Sequence, residues 1–464
     1  MPVTQTPFAT LNLAPELLAN LDSLGYTAMT PVQAASLPLI LAGRDVIAQA
    51  KTGSGKTAAF GLGLLARLDV QRFRVQVLVL CPTRELADQV AKEIRKLART
   101  IHNIKVLTLC GGMPFGPQLG SLEHGAHIIV GTPGRVEEHL RKGSLVLDNL
   151  TTLVLDEADR MLEMGFAPAL DAIVDKAPKQ RQTLLFSATF PDQIQRIAKR
   201  ILQQPETVKV ESTHDAGSIV QHFYNVGSDD QRLQAVRLLL LQFAPESAVV
   251  FCNTKKETQD IADALRQSGF SVAALHGDLE QRERDEVLVR FANKSVCVLV
   301  ATDVAARGLD IDSIEAVINY QLAHDADVHV HRIGRSGRAG NKGFACSLFT
   351  DRDHYKVALI QDYLGQIISA EPLPPRSVLN KAPAEPSMAT LQIDGGKKQK
   401  IRPGDILGAL TGDNGIAGNQ VGKIQVFDNC AYVAVQRSAV KAALTKLGDG
   451  KLKGRAVRVR LIRG

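Results

Sequence analysis

Short, nearly continuous apolar runs recur between residues 40 and 210, each closed by a polar or Gly/Pro turn and separated by stretches of helical period. Val46-Ile47-Ala48, Val75 to Leu80, His127 to Val130, Thr152 to Leu155 and Thr183 to Phe186 are such runs. Strands apolar on both faces and alternating with helices predict a parallel sheet covered on both sides, with ligands at the C-terminal strand ends. The rhythm restarts after Gln221, in Ala248 to Cys252, Ser271 to Leu275, Val296 to Ala301, Ala316 to Asn319 and Gly343 to Phe349. No close sequence repeat links the halves, yet the architecture reads as duplicated. The polar stretch Pro205 to Ser218 is expected to connect them.

Glu371 to Ser387 carries five prolines in seventeen residues and is expected to be an extended or weakly ordered linker. Beyond it the pattern predicts a strand (Ala389 to Ile393), a helix (Pro403 to Leu410), two strands (Val421 to Val426, Cys430 to Val435), a helix (Ser438 to Leu447) and a strand (Arg455 to Ile462). This βαββαβ order is that of an RNA-recognition module.

Charge sharpens that reading. Residues 388–464 hold fourteen Lys+Arg and five Asp+Glu, a net of +9, against +7 for the whole chain, which leaves −2 for residues 1–387. A basic module on a near-neutral body points to a polyanion partner, most often nucleic acid, with a solvated surface as the alternative. Elsewhere composition is ordinary: 464 residues, 45% hydrophobic and 22% charged, have room for about three globular domains and favour neither disorder nor a membrane. No apolar run approaches the ~20 residues of a membrane helix, and the N-terminus lacks a basic segment followed by an apolar one, so a cytoplasmic protein is expected. Six cysteines without CxxC spacing support neither a disulfide framework nor a zinc site.

Ala50 to Thr57 read AKTGSGKT between an apolar run and a helix expected over Ala58 to Leu68. Gly53 and Gly55 let consecutive backbone N–H groups turn inward, and the helix adds its positive dipole end. Thr52, Ser54 and these glycines would cradle phosphates, Lys56 would meet the β- and γ-phosphates, and Thr57 would ligate Mg²⁺. The general pattern has a glycine where Ala50 stands, and a plain Gly/Ser turn is the bland alternative. Asp156-Glu157-Ala158-Asp159 follows the apolar run Thr152 to Leu155. Asp156 is placed to hold Mg²⁺, partly through water, and Glu157 to take a proton from the attacking water. Dipole compensation at a helix start would explain the acids alone; the phosphate loop outweighs it.

Other patterns weigh less. Arg332, Arg335 and Arg338 stand among Gly334 and Gly337, which let a polyanion approach; a solvated helix face is the alternative. His324, His329 and His331 lack the Cys or acid spacing of a metal site. Gly61-Leu-Gly63-Leu-Leu-Ala66 fits a dinucleotide fingerprint but falls inside a helix, where its glycines serve close packing. The acidic run Asp278 to Glu286 reads as a solvated helix face. Aromatics are 5% of residues and tryptophan is absent, so backbone contacts would dominate any grip on nucleic acid by the body.

Gly25 to Gln33 (GYTAMTPVQ), AKTGSGKT, Pro82 to Ala87 (PTRELA), Gly111-Gly112, Thr132 to Arg135 (TPGR), DEAD, Ser187-Ala188-Thr189, Ala301 to Asp310 (ATDVAARGLD) and His331 to Arg338 (HRIGRSGR) together resemble the DEAD-box RNA helicases over roughly residues 8 to 370. The resemblance implies two tandem RecA-like parallel-sheet domains, an α/β fold, with ATP and Mg²⁺ as cofactors and RNA as partner. Its expected boundaries are 1–208, 209–370, a linker at 371–387, and a small α+β RNA-recognition-like domain at 388–464. Gln33 would read adenine with Phe8 packing nearby, Arg335 and Arg338 would be arginine fingers, and Asp310 would contact the nucleotide. Asp159, Ser187, Thr189 and His331 would couple nucleotide state to RNA grip. Pro82, Thr83, Gly112, Thr132, Arg135, Gln281, Arg284 and Thr302 would line the RNA path.

In the C-terminal module, Ala431 to Val435 fits half of the RNA-recognition signature, but Cys430 and Gln392 replace stacking aromatics. Lys397, Lys398, Lys400, Arg402, Lys451, Lys453, Arg455, Arg458 and Arg460 offer a backbone-binding surface instead. Ile393 to Gly412 closely resembles the C-terminal domain of DbpA-type helicases, which implies binding of a 23S ribosomal RNA hairpin and a role in 50S subunit assembly. The expected function is an RNA-stimulated ATPase that locally unwinds short duplexes, working as a monomer. An ATP-gated RNA clamp or assembly chaperone is the alternative, and a DNA helicase the third.

Overall fold

The computed structural model describes residues 6–50, 53–210, 219–306, 314–336 and 343–462, apart from the side chains of residues 327 and 451. The chain divides into two compact units, residues 1–213 and 214–464.

The first unit is built on strands β1 (Val46–Gln49), β2 (Val77–Leu80), β3 (Val106–Leu109), β4 (Ile128–Gly131), β5 (Thr152–Leu155), β6 (Gln182–Ser187) and β7 (Glu206–Lys209). They form one parallel sheet in the order β3-β4-β2-β5-β6-β1-β7. Two apolar clusters cover its faces, one built around Phe60, Val79, Ile94 and Phe186, the other around Leu78, Leu155, Met161 and Leu185. In the second unit, β8 (Ile219–Asn225), β9 (Ala248–Cys252), β10 (Val272–Leu275), β11 (Val298–Thr302), β12 (Ala316–Asn319) and β13 (Gly343–Phe349) follow the order β10-β11-β9-β12-β13-β8, again all parallel. Counted along the chain, six strands of each sheet share one winding, so the duplication is topological. Both are RecA-like domains.

The interior strands stand where the apolar runs predict them. Three strands had no such run: β3, β7 and β8 all lie at sheet edges, and β7 buries only Val208. An edge strand has one neighbour and an exposed flank, which relaxes the apolar requirement. The stretch expected to connect the halves therefore begins inside the first sheet, since β7 pairs with β1. Residues 211–218 of that stretch lie outside the described residues.

The proline-rich segment is more ordered than its composition predicts. Arg376–Asn380 form a 3₁₀ turn, and Val378, Leu373 and Leu379 pack into the cluster that contains the helix Arg232–Phe243.

After it come β14 (Met388–Ile393), β15 (Val421–Val426), β16 (Ala431–Gln436), β17 (Lys451–Leu452), β18 (Arg455–Ala456) and β19 (Val459–Leu461). The antiparallel sheet runs β15-β16-β14-β19, while β17 and β18 form a separate hairpin. The single strand expected over Arg455 to Ile462 is thus split in two. One sheet face packs Leu391, Ile393, Val433 and Val435 with Ile406 and Leu410 of the helix Pro403–Thr411 and Ala443 and Leu447 of the helix Val440–Asp449. On the other, Thr390, Gln392, Tyr432 and Ala434 are also buried. Residues 293–295 meet that face: the hydroxyls of Ser295 and Thr390 lie 2.7 Å apart, Asn293 Nδ2 donates to Thr390 Oγ1 at 3.4 Å, and Met388 N–H donates to the Lys294 carbonyl at 3.4 Å.

Gly61 and Gly63 lie inside the helix Lys56–Ala66 and serve packing: a Cβ on Gly63 would stand 2.3 Å from Ile40 Cγ2. Gly63→Ala is expected to cost about 1–3 kcal/mol through overpacking. Thermal unfolding checks this against Gly120→Ala, where the added Cβ meets nothing within 4 Å and stability should hold or rise.

Candidate functional site

The phosphate loop leaves β1 and turns into the helix Lys56–Ala66. Gly53 and Gly55 have φ of 83° and 91°, in the region only glycine enters without strain. Ala50, which stands where the general pattern has a glycine, is buried, and its carbonyl accepts from Lys56 Nζ at 2.8 Å. Thr57 stands half-buried one residue on.

Asp156 extends β5, its N–H donating to the Leu80 carbonyl at 2.9 Å. It is 2% exposed, and its Oδ1 has no partner among the described residues. Burial lifts its carboxyl to about 7 even though the Lys56 ammonium opposes the shift. An orphaned buried carboxylate oxygen is costly unless a cation or donor meets it, which fits a divalent metal. Glu157 caps the next helix at φ 51° and ψ 53°, a left-handed conformation that is strained for a non-glycine residue. Asp159 accepts from both the N–H and the hydroxyl of Thr189 at 2.9 Å, and its own N–H donates to Ser187 Oγ at 3.3 Å. Burial works to raise the Asp159 carboxyl, yet the Thr189 bonds hold it below the usual carboxylate range. Three of the four residues expected to couple nucleotide and RNA are therefore bonded together. The fourth, His331, belongs to the helix Ala326–Ile333 of the second unit.

Gln33 lies in the first turn of the helix Pro31–Leu41, where Thr30 and Gln33 form a capping box. Its Oε1 accepts from Thr30 N–H at 2.8 Å, and its Nε2 donates to the Gly55 carbonyl at 3.1 Å. Thr30 Oγ1 donates to the Ser54 carbonyl at 2.7 Å. The expected adenine reader is thus wired to the phosphate loop. Phe8 is 3% exposed and packs edge-on to Tyr26, with ring centroids 6.2 Å apart.

The proposed RNA residues of the first unit gather where β2, β3 and β4 end. Pro82 and Thr83 follow β2, and Thr83 Oγ1 caps the helix Arg84–Leu97 by accepting from Leu86 N–H. Gly112 is exposed at φ 73°. Thr132 accepts from Gly111 N–H at 3.2 Å, and Arg135 Nη2 donates to the Met113 carbonyl at 2.9 Å. In the second unit Thr302 ends β11 and accepts from Ala305 N–H. Gln281 and Arg284 open the helix Gln281–Ala292; Gln281 donates to Asp285 at 2.8 Å and Arg284 to the His276 carbonyl at 3.5 Å. Arg335 follows the helix Ala326–Ile333, its N–H donating to the Arg332 carbonyl.

Arg332 is a correction both to the grouping of three arginines open to a polyanion and to the solvated-face alternative. It is 2% exposed; it grips Asp303 through two 2.7 Å bonds and also donates to the Gln321 carbonyl, Asn319 and Asn253. It thereby ties the helix before Arg335 to the ends of β9, β11 and β12. A hint of its burial in the sequence was its place between Val330 and Ile333. His329 is buried against Phe223, where burial and Arg332 push its imidazole down to about 4. Among the described residues no group of three His, Cys, Asp or Glu is placed to hold a metal, and no helix is long and apolar enough to cross a membrane.

In the C-terminal module Lys397 and Lys398 are exposed in a 3₁₀ turn, Lys400 has φ 60°, and Arg402 caps the helix Pro403–Thr411. Lys453 Nζ donates to the Lys400 carbonyl at 2.7 Å and pairs with Asp405 at 3.2 Å, which sets the β17–β18 hairpin, with the exposed Arg455, beside this turn. Arg460 instead bonds Gln392 on the sheet. Of the remaining expected residues, Thr52, Asp310, Arg338 and the Lys451 side chain lie outside the described residues.

Three family models match the chain: DEAD/DEAH box helicase over residues 30–197, helicase conserved C-terminal domain over 231–340, and DbpA RNA binding domain over 390–461. The chain is 56% identical to Escherichia coli ATP-dependent RNA helicase DbpA over 99% of its own length and all of the relative's, and 35% identical to the Bacillus subtilis protein of that name over 97% and 98%. Among solved structures, S. cerevisiae Dbp5 bound to RNA and ADP BeF3 is similar with a TM-score of 0.72 and 31% identity, over 82% of this chain and 100% of that one. With phosphate loop, buried acid and C-terminal module all in place, the chain belongs to the DEAD-box ATP-dependent RNA helicases that carry a DbpA RNA-binding domain.

Proposed function

We propose that this helicase couples ATP hydrolysis to local opening of short RNA duplexes, and that its C-terminal module directs it to a 23S ribosomal RNA hairpin during assembly of the 50S subunit in the cytoplasm. The observation that carries the catalytic part is the buried Asp156 with an unpartnered oxygen, set beside the phosphate loop and one residue before the left-handed Glu157. Thr57 and Asp156 would hold Mg²⁺, which supplies charge neutralisation on the β- and γ-phosphates when bound. Lys56 would exchange its bond to the Ala50 carbonyl for a phosphate oxygen. Glu157 would orient the attacking water and take its proton, while Arg335 and Arg338 supply positive charge to the γ-phosphate. Gln33, already bonded to Gly55, would report adenine occupancy to the loop. In the same reading the domains span 1–208, 209–370 and 388–464.

The targeting part is supported by full-length similarity to DbpA and by the basic loop and hairpin of the module. Its sheet face is buried, so Lys397, Lys398, Lys400, Arg402 and Arg455 on the remaining surface are the proposed contacts. Phosphate contacts there would position the hairpin rather than read its bases.

Glu157→Gln is expected to lower RNA-stimulated turnover roughly 10²- to 10⁴-fold while keeping ATP-dependent RNA binding; steady-state ATPase and filter binding check both, and retained turnover removes Glu157 as the base. Asp156 gives a pH test. Its folded pKa lies above its unfolded value, so the associated stability is present at acid pH and lost as pH rises through about 7. Asp156→Asn should therefore raise the melting temperature of the nucleotide-free protein more at pH 8 than at pH 5, and an equal effect at both pH values would contradict the burial argument. Replacing Lys397, Lys398 and Lys400 together with alanine should weaken 23S hairpin binding about tenfold or more and flatten its salt dependence, leaving RNA-independent ATPase unchanged. Hairpin titrations at several salt concentrations read this out.

A further inference from the structure

Gly111 to Pro114 are four consecutive exposed residues, two of them glycines, so the shape of this loop is set by whatever holds it. Thr132 and Arg135 hold its interior, as described above. Its two ends rest elsewhere. The Cys110 carbonyl accepts from Gln118 Nε2 at 3.0 Å, and the Gln118 Oε1 faces His139 Nε2 at 3.3 Å. At the far end, Phe115 lies flat on the His139 ring, with centroids 4.2 Å apart and planes within 16°, and the Lys142 ammonium stands 3.9 Å from the Phe115 centroid. One fully buried imidazole therefore underlies both feet of the loop.

The hydrogen-bond pattern fixes its chemistry. Gln118 spends its amide N–H on Cys110, so its oxygen faces His139 and requires an N–H at Nε2. Nδ1 is then an acceptor, and Ser144 Oγ lies 2.8 Å from it, with the His139 carbonyl at 3.2 Å as the other acceptor for that single hydroxyl proton. The groups facing the ring are Arg135, Glu138 and Lys142 from its own helix, Gln118 and Phe115 from the helix Phe115–Glu123, and Ser144 from the turn beyond. Burial first, and then the two cations, disfavour a charged imidazole, and Glu138 opposes them. A neutral ring of fixed tautomer is a rigid support.

We propose that His139, acting through Gln118 and Phe115, is a positioning residue that presets the Gly111–Pro114 loop for the RNA backbone. A buried histidine stacked on phenylalanine is ordinary packing in many cores. Here the side-chain amide reaches the Cys110 carbonyl at one end of an exposed loop that carries Gly112, and the imidazole stacks on Phe115, the first residue of the helix at its other end. A preset loop loses less freedom when a polyanion docks, which raises affinity without a new contact. The inference rests on the reading that Gly112, Thr132 and Arg135 line the RNA path.

The test uses the full-length protein and an RNA duplex with a single-stranded extension, and measures the RNA concentration for half-maximal ATPase, the maximal rate, the RNA-free ATPase and the melting temperature. Gln118→Glu keeps the size of the side chain but cannot donate to Cys110, and Phe115→Leu removes the stack. Each is expected to raise the half-maximal RNA concentration about tenfold, with the maximal rate and RNA-free ATPase within twofold of the parent. Phe115→Tyr keeps the stack and should restore the parental value. Arg135→Ala serves as the reference for the path itself. If it weakens RNA while Gln118→Glu and Phe115→Leu do not, the positioning role is wrong and the RNA path stands. If Arg135→Ala also leaves RNA unchanged, the path reading and this inference fall together. Loss of RNA-free ATPase in step with RNA affinity would mark Gln118 and Phe115 as fold supports and overturn the proposal.

Discussion

A parallel strand buried on both faces has no place for a charge until it ends, and several of the residues proposed for chemistry stand at such ends. Asp156 follows β5, Pro82 and Thr83 follow β2, Thr132 follows β4, and Ser187 and Thr302 close β6 and β11. The positions between them belong to the apolar clusters on either side of each sheet. Desolvation is then both the cost and the source of function. Asp156 is pushed toward neutrality by its burial, which leaves an oxygen that a divalent ion would satisfy.

The same constraint explains why polar networks do the holding at these ends. Asp159 is fixed by Thr189 and Ser187, Gln33 by Thr30 and Gly55, and Arg332 by Asp303, Asn253, Asn319 and Gln321. Each network joins strand ends, a helix start and a strand end, or two helix starts. A polar group moved at one member leaves a partner unpaired, which costs most where the network is buried.

In the C-terminal module the constraint takes another form. Its sheet would be open on one side in an isolated domain, but Thr390, Gln392, Tyr432 and Ala434 are buried, and residues 293–295 bond to Thr390 and Met388. Cys430 and Gln392 stand where stacking aromatics are usual, which suits a face turned to protein. The basic residues left exposed cluster on the turn at Lys397–Gln399 and on the β17–β18 hairpin, which Lys453 ties together.

The sequence by itself determined the interior strands, the phosphate loop, the acid after β5 and the order of the C-terminal elements. Each of these is written in the residues of one element and its flanking turn, because burial on both faces leaves a continuous apolar run and a tight phosphate turn demands glycine. It did not determine β3, β7 and β8, whose edge positions relax the pattern, nor the ordering of Arg376–Asn380, whose Val378 finds its partners well over a hundred residues upstream. Nor did it determine that Arg332 is buried, that His139 underlies the Gly111–Pro114 loop, or which face of the last sheet is covered. A local pattern records that a side chain is buried or charged; which distant group it meets is set only when the layers pack, and only tertiary structure decides that.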